Sequence, residues 1–420
     1  MPLVAAAFAS FAVIGADSRW LAALGATIAR GHLPDSLAFA TAPTDGWQNV
    51  PVLAELIFHW LHALLGMRGL VLAQVAAALV GFGALVVGLR RQGASAATAA
   101  AVGFVVLAGA LPLVVVVRNE LFSLALFPLL LLLLEEETRR PSRKLWLAVP
   151  LVFFWTNLHG SVLLGLGLLG AYVMTRRPRA FPVLAASLVA ACTTPVLWRT
   201  PEYYWSVAHN EAARLRVGLW APLGTGAFDL LLVVCALALL ATAVKGRGWV
   251  AWELVSVLVL AVSTLQHARI GAWLLFVVAY PAARGLKLRR AASVHVAVLA
   301  AFAIVALVGL VRQPLDIGSS RLAAQAARTQ EPVLAEGLLA EQVELAGGKV
   351  WVANPIDAFR HADQRLYLRW LGGDPRGAAA VGHASLVLVK GSNAPGQVAA
   401  GDPRLVRLAT DGAFVLYRVR

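Results

Sequence analysis

Cysteine is nearly absent. Cys192 and Cys235 are the only two in 420 residues, and both fall inside apolar runs, where a thiol packs as a small hydrophobe and implies neither a disulfide framework nor a zinc cluster. Charge is sparse as well: 14% of the chain is Asp, Glu, Lys or Arg, against 60% hydrophobic residues. The chain also has no G-x-x-x-x-G-K-S/T phosphate loop and no G-x-S-x-G elbow, which leaves ATP-driven transport and serine hydrolysis without support. Acidic residues number 22 against 36 basic ones, a net charge of +14. The basic residues gather in tight loops and form no continuous basic face, so no nucleic-acid partner is expected. Lysine occurs only at Lys144, Lys245, Lys287, Lys349 and Lys390; with so much Ala, Gly and Val besides arginine, the usage suggests a GC-rich bacterial genome.

What the chain has in quantity is hydrophobic runs. They recur from the N-terminus to about residue 311 and then stop, the pattern of a polytopic membrane domain followed by a soluble tail. Candidate spans fall at 2–15, 69–89, 95–117, 121–134, 145–157, 161–175, 181–198, 227–244, 249–265, 270–286 and 291–311. That is about 11 crossings, several shorter than the usual 20 residues and therefore dependent on neighbours to satisfy their ends. The first run lacks the basic flank of a signal peptide and is expected to be a retained helix.

Orientation follows from the basic loops. Arg90-Arg91, the Arg139 to Lys144 stretch, Arg176-Arg177-Pro178-Arg179, Lys245 with Arg247, and Lys287 with Arg289-Arg290 fall at every second loop. Placing them in the cytoplasm of a bacterial plasma (inner) membrane puts the N-terminus inside and the C-terminal domain outside. Loops 16–68, 118–120, 158–160, 199–226 and 266–269 are then extracytoplasmic. Residues 51–66 would reverse this register if they crossed. An amphipathic helix on the external interface fits better, with Glu55, His59 and His62 on one face and Leu53, Leu56, Ile57, Trp60, Leu61 and Leu64 on the other. Residues 18–31 read similarly. The expected architecture is an all-α membrane domain over 1–311, with interfacial helices in loop 16–68. A small extracytoplasmic α/β domain follows over 312–420: a helix at 318–346, a strand at 349–353, a helix near 360–371, and strands around 385–390 and 413–419.

Three short polar breaks carry groups that hydrocarbon does not tolerate: Arg118-Asn119-Glu120, Asn157-Leu158-His159-Gly160 and Gln266-His267-Ala268-Arg269. All three fall on the external side, so Arg118, Glu120, Asn157, His159, His267 and Arg269 are candidate binders of a polar or phosphorylated ligand. Arginine suits phosphate because its fork gives bidentate, charge-assisted hydrogen bonds; the bland alternatives are snorkelling toward headgroups and a histidine that merely pins its turn. Asp17 ends the first span and is a candidate general base, or an N-cap for the helix that follows. The Glu55, His59, His62 stripe is either a divalent-metal or loop site or an ordinary solvated face.

At these residues the chain resembles the C-type (GT-C) glycosyltransferases of bacteria. The matching stretches are Asp17-Ser18-Arg19-Trp20, Gly31-His32-Leu33-Pro34-Asp35, Trp47-Gln48-Asn49, Arg118 to Ser123, Asn157 to Gly160, the Arg269 hairpin, Asn354 to Phe359 and Asp363 to Leu368. The resemblance implies a GT-C-like fold, a polyprenyl-phosphate sugar as donor and a glycan or lipid acceptor of the cell envelope, with membrane lipid around the spans. It also implies that Asp17, as the acid of the first external loop, is the catalytic residue. Three positions depart from the family: Gly15 replaces a second acid, Val50-Pro51 a His-Glu, and Leu219 an acid beside Trp220. The function expected is sugar transfer on the extracytoplasmic face. A non-catalytic scaffold or binding protein of the same fold is the main alternative, and a lipid or solute transporter a third.

Overall fold

The computed structural model describes residues 1–246, 248–288, 296–312, 314, 316 and 318–420. Arg247 and the Arg289-Arg290 pair of the orientation argument lie outside the described residues. The chain is mostly helical with a small C-terminal mixed sheet, and it divides into two compact units, each assembled from separate stretches of sequence.

The first unit comprises Met1–Val13, Met67–Trp198 and Gly218–Leu315. Its helices follow the apolar runs: Pro2–Ala9, Met67–Arg91, Ala96–Gly109, Leu121–Arg139, Ala148–Thr156, Val162–Arg176, Phe181–Ala191, Ala227–Lys245, Ala251–Gln266, Gly271–Gly285 and Val296–Val311. Among the described residues, Met67–Arg91 and Ala227–Lys245 are long and apolar enough to cross a membrane. Several of the other runs are shorter as helices than as apolar sequence, so helix length does not establish about 11 crossings. The run from 2 stops at Ala9, the run from 181 stops at Ala191, and the run over 95–117 breaks at Ala110, ahead of Pro112. Side chains such as Val234, Leu237, Val244, Leu258, Val262 and Leu265 stay exposed along 227–266. A continuous apolar surface of that kind suits lipid.

Close helix contacts depend on small residues. Gly81 lies against the backbone of Leu124, and a Cβ there would overlap the Leu124 carbonyl. The ends of three helices are joined by a buried polar cluster that the sequence reading did not foresee. Arg284 pairs with Glu253 and reaches Glu135 at 3.9 Å, Gln92 donates to Glu135, and Glu253 also accepts the Val250 N–H at 3.0 Å. A buried carboxylate without such partners would be strongly destabilising.

The second unit comprises Ile14–Gly66, Arg199–Val217 and Asp316–Arg420. Its sheet has strands β1 (Pro332–Ala335), β2 (Lys349–Val350), β3 (Leu386–Lys390), β4 (Leu405–Asp411) and β5 (Phe414–Val419), in the order β2-β1-β3-β5-β4. β1 runs parallel to β2 and β3, whereas β5 is antiparallel to β3 and β4. Val333, Leu334, Leu386, Val387 and Leu388 are fully buried, which explains continuous apolar runs in place of alternation.

Two expectations need correction. The helix expected over 318–346 is two helices, Arg321–Arg328 and Gly337–Leu345, with β1 between them; Gln330 adopts φ 55 and Pro332 follows, which no helix accommodates. β4 was not expected. It closes a tight hairpin on β5 through Asp411-Gly412-Ala413-Phe414, with Gly412 at φ 57.

Segments from the first loop complete this unit. Phe39 to Ala42 runs beside β2: Val350 N–H donates to Phe39 O at 2.8 Å, Thr41 N–H to Val350 O at 2.8 Å, and Ala42 N–H to Trp351 O at 3.1 Å. The loop also supplies two paired helices, Ser18–Ala29 and Val52–Leu65. Gly25 makes their close approach possible, since a Cβ there would overlap the Glu55 carbonyl. From 199–217, Glu211 accepts hydrogen bonds from Arg365 at 3.0 and 3.3 Å, and its N–H donates to Gln364 Oε1 at 2.9 Å.

Candidate functional site

In the first unit, a recess of about 270 Å³ is lined by Arg118, Glu120, Leu219, Asp229, Arg269 and Trp273, among others. Arg118 reaches it because the chain leaves helical geometry after Val115 and runs extended through Val116–Val117. The carbonyls freed there are partly taken up by Gln74, a buried amide in an otherwise apolar helix, whose Nε2 donates to Leu113 O at 2.8 Å and Val114 O at 3.0 Å. Arg269 comes from the turn between Ala251–Gln266 and Gly271–Gly285, and its guanidinium lies 4.8 Å from the centre of the Trp220 ring. His267 stands edge-on to the same ring and its Nδ1 is 3.3 Å from Trp220 O. Backbone bonds from Ala268 to Ala221 and from Leu223 to Leu265 fasten the Trp220 segment to that turn.

The candidates of the three polar breaks therefore separate. Arg118, Glu120 and Arg269 line one recess, and His267 supports it through Trp220. Asn157 and His159 are not among the residues lining it. Asn157 Nδ2 donates to Phe153 O at 2.9 Å and Thr193 O at 3.0 Å, which anchors the turn. His159 Nδ1 lies 2.7 Å from Ser161 Oγ and 3.0 Å from Ser123 Oγ, and Trp155 Nε1 donates to Ser123 Oγ at 2.8 Å. Asp229 and Trp273 were not singled out in the sequence, and Trp220 was noted there only as the neighbour of Leu219. Of these, Asp229 carried a visible signal, an acid in the first turn of an apolar helix; it accepts the Gly224 N–H at 3.1 Å.

In the second unit, Asp17 precedes the helix Ser18–Ala29 but does not cap it. Its backbone is left-handed, φ 75, and its side chain makes no cap hydrogen bond, whereas a capping residue is extended with its oxygen on the helix N–H groups. Its Oδ1 accepts from Trp20 Nε1 at 3.3 Å, and its N–H donates to Glu341 Oε1 at 2.9 Å. Left-handed backbone in a non-glycine residue is a strained state found at functional sites. Arg19, in the first turn of that helix, is buried and paired with Asp316.

Other acids surround this point. Glu341 is fully buried, accepts also from Asn354 Nδ2 at 3.0 Å, and is pushed up to about 7 by burial and by the charge of Asp17. Asp357 is raised to about 6 by burial, with Asp17 adding to the shift. Glu55 is buried and raised to about 8 by desolvation, against a 2.8 Å hydrogen bond from Asn49 Nδ2. The stripe Glu55, His59, His62 is thus not a solvated face: Ala54, Glu55 and Phe58 turn inward, while Trp60, Leu64 and Leu65 are exposed. His62 is lowered by burial and by His59 and Arg19. Among the described residues, no group of three His, Cys, Asp or Glu side chains could hold a metal ion.

No family model and no curated protein matches this chain. A solved structure does. The cryo-EM structure of arabinofuranosyltransferase AftD from mycobacteria superimposes with a TM-score of 0.57 at 17% identity, over 99% of this chain and 41% of that one. The likeness is one of fold. This chain spans less than half the length of that protein.

Proposed function

We propose that this chain is a membrane glycosyltransferase of GT-C type, moving a sugar from a polyprenyl-phosphate donor to a cell-envelope acceptor on the extracytoplasmic face. The observation that carries the reading is the recess lined by both Arg118 and Arg269, in a chain whose fold resembles part of an arabinofuranosyltransferase. Two guanidiniums in a half-buried recess offer charge-assisted hydrogen bonds to a phosphate, and they stabilise the negative charge that develops as the phosphate leaves. Trp220 beneath Arg269 limits the motion of that guanidinium, so less order remains to be imposed on binding. Glu120 and Asp229 balance the recess in charge, which keeps it from attracting anions indiscriminately. Asp17 is the proposed general base for the acceptor hydroxyl.

The test is transfer by the purified protein in lipid from a panel of polyprenyl-phosphate sugars, with donor binding measured in parallel. Arg118→Ala and Arg269→Ala are each expected to weaken donor binding by about 1.5–3 kcal/mol, the scale of a charged hydrogen bond, and Arg118→Lys to recover only part of the loss. Normal donor binding in both Ala variants sinks the phosphate role. A wild-type protein that binds donor but transfers nothing to any acceptor leaves the non-catalytic binding reading standing.

A further inference from the structure

The second unit contains a cleft of about 280 Å³, formed by the first-loop segment 43–48, the helix Thr200–Ala208 and the turn 357–360. Its walls combine aromatic rings and acids. Trp47 and Phe359 are buried there and Tyr203 is half-buried. Asp45, Glu202 and Asp357 supply carboxylates, and Arg360 is the one cation among the lining residues. Trp47 Nε1 donates to Asp357 Oδ2 at 3.4 Å, which fixes the indole against the carboxylate. Gln48 also lines the cleft, and its Oε1 is buried without a hydrogen-bond partner.

This lining discriminates between ligand chemistries. Of the three lining carboxylates Glu202 is neutralised by Arg199, and Asp45 and Asp357 still outnumber the single lining guanidinium, so the cleft stays acidic and disfavours a phosphate or an acidic glycan. An apolar ligand would desolvate the carboxylates and the amide with nothing in return. A metal ion lacks a ligand set among the described residues, and Glu202 is already paired with Arg199 at 3.0 Å. A neutral sugar ring answers all of these features. Its hydroxyls donate in pairs to carboxylates and to the stranded Gln48 oxygen, and its C–H face packs on an aromatic ring.

We infer that this cleft is a binding site for an uncharged saccharide, held by hydroxyl donation to Asp45, Glu202 and Asp357 and by packing on Trp47 and Tyr203. The inference goes beyond the transferase reading, because saccharide binding here requires neither a donor lipid nor transfer.

The experiment is calorimetric titration of the full chain in lipid nanodiscs, without donor. The probes are neutral hexose and pentose trisaccharides, their uronic-acid counterparts, and tri-lysine. At least one neutral trisaccharide is expected to bind while the uronic-acid forms do not. Asp357→Asn and Trp47→Ala are each expected to weaken that binding by about tenfold or more, the affinity equivalent of a charged hydrogen bond. Asp45 is exposed, so Asp45→Asn weakens binding with no change in melting temperature and separates recognition from folding. Binding of tri-lysine alone would make the cleft a cationic-peptide site and overturn the proposal. So would the absence of any neutral ligand, or neutral binding unchanged in all three variants. Donor binding at the Arg118 recess is read in a different assay, so the two readings fail separately.

Discussion

Asp17 and Glu341 share one hydrogen bond and repel each other's charge. Substituting Asp17→Asn keeps size and removes the proton acceptor. If Asp17 is the base, turnover falls by about 10²–10⁴ while the melting temperature stays near wild type; unchanged turnover in an active protein removes the assignment. Glu341 gives a pH prediction with a definite sign. Its folded-state value of about 7 lies above the ordinary 4.5, so the folded chain holds a proton that the unfolded chain has lost between those values. The stability this contributes is full below about pH 4.5 and is lost as pH rises through about 7. Melting temperatures from pH 4.5 to 8 are expected to fall less steeply in Glu341→Gln than in wild type, and equal slopes would contradict the assignment. Asp17 was legible from sequence as an acid at the end of an apolar run. Glu341 was not, because only folding brings residues 324 positions apart into hydrogen-bond range.

The paired helices Ser18–Ala29 and Val52–Leu65 meet at Gly25 against the Glu55 carbonyl. A side chain there forces them apart, so Gly25→Val is expected to cost about 1–3 kcal/mol, the scale of overpacking. Gly31→Ala, where a Cβ meets nothing within 4 Å but φ is +88, tests backbone strain alone. Thermal unfolding distinguishes the two, and an unaffected Gly25→Val would mean the helices are not held at that distance. The helices were the legible part of the fold, because long apolar runs leave few alternatives. The strands were less so. β1 is four residues long with its last three in succession buried, so alternation could not reveal it, and β4 is largely exposed with a register irregularity between Arg407 and Ala409. The recess was half legible. Its arginines stand out as charges in apolar surroundings, whereas Trp220 and Gln74 matter only through partners distant in sequence.

At the scale of the whole molecule, the orientation drawn from the basic loops is open to direct test. A reporter fused after Arg420 is expected to be active only in its extracytoplasmic form, and one fused after Arg177 only in its cytoplasmic form. The opposite pair of signals would move every proposed site residue to the wrong face. The bridge between Ala40 and Val350 also has a consequence for how the protein is made. Thr41 pairs with a strand 309 residues later in the chain. At a synthesis rate of roughly 5–20 residues per second, the first loop emerges about 15–60 s before its partner exists. Through that interval Phe39 to Ala42 is an unpaired edge exposed to proteases. Survival of the nascent chain over that interval is therefore expected to contribute, beside the stability of the finished one, to how much protein accumulates.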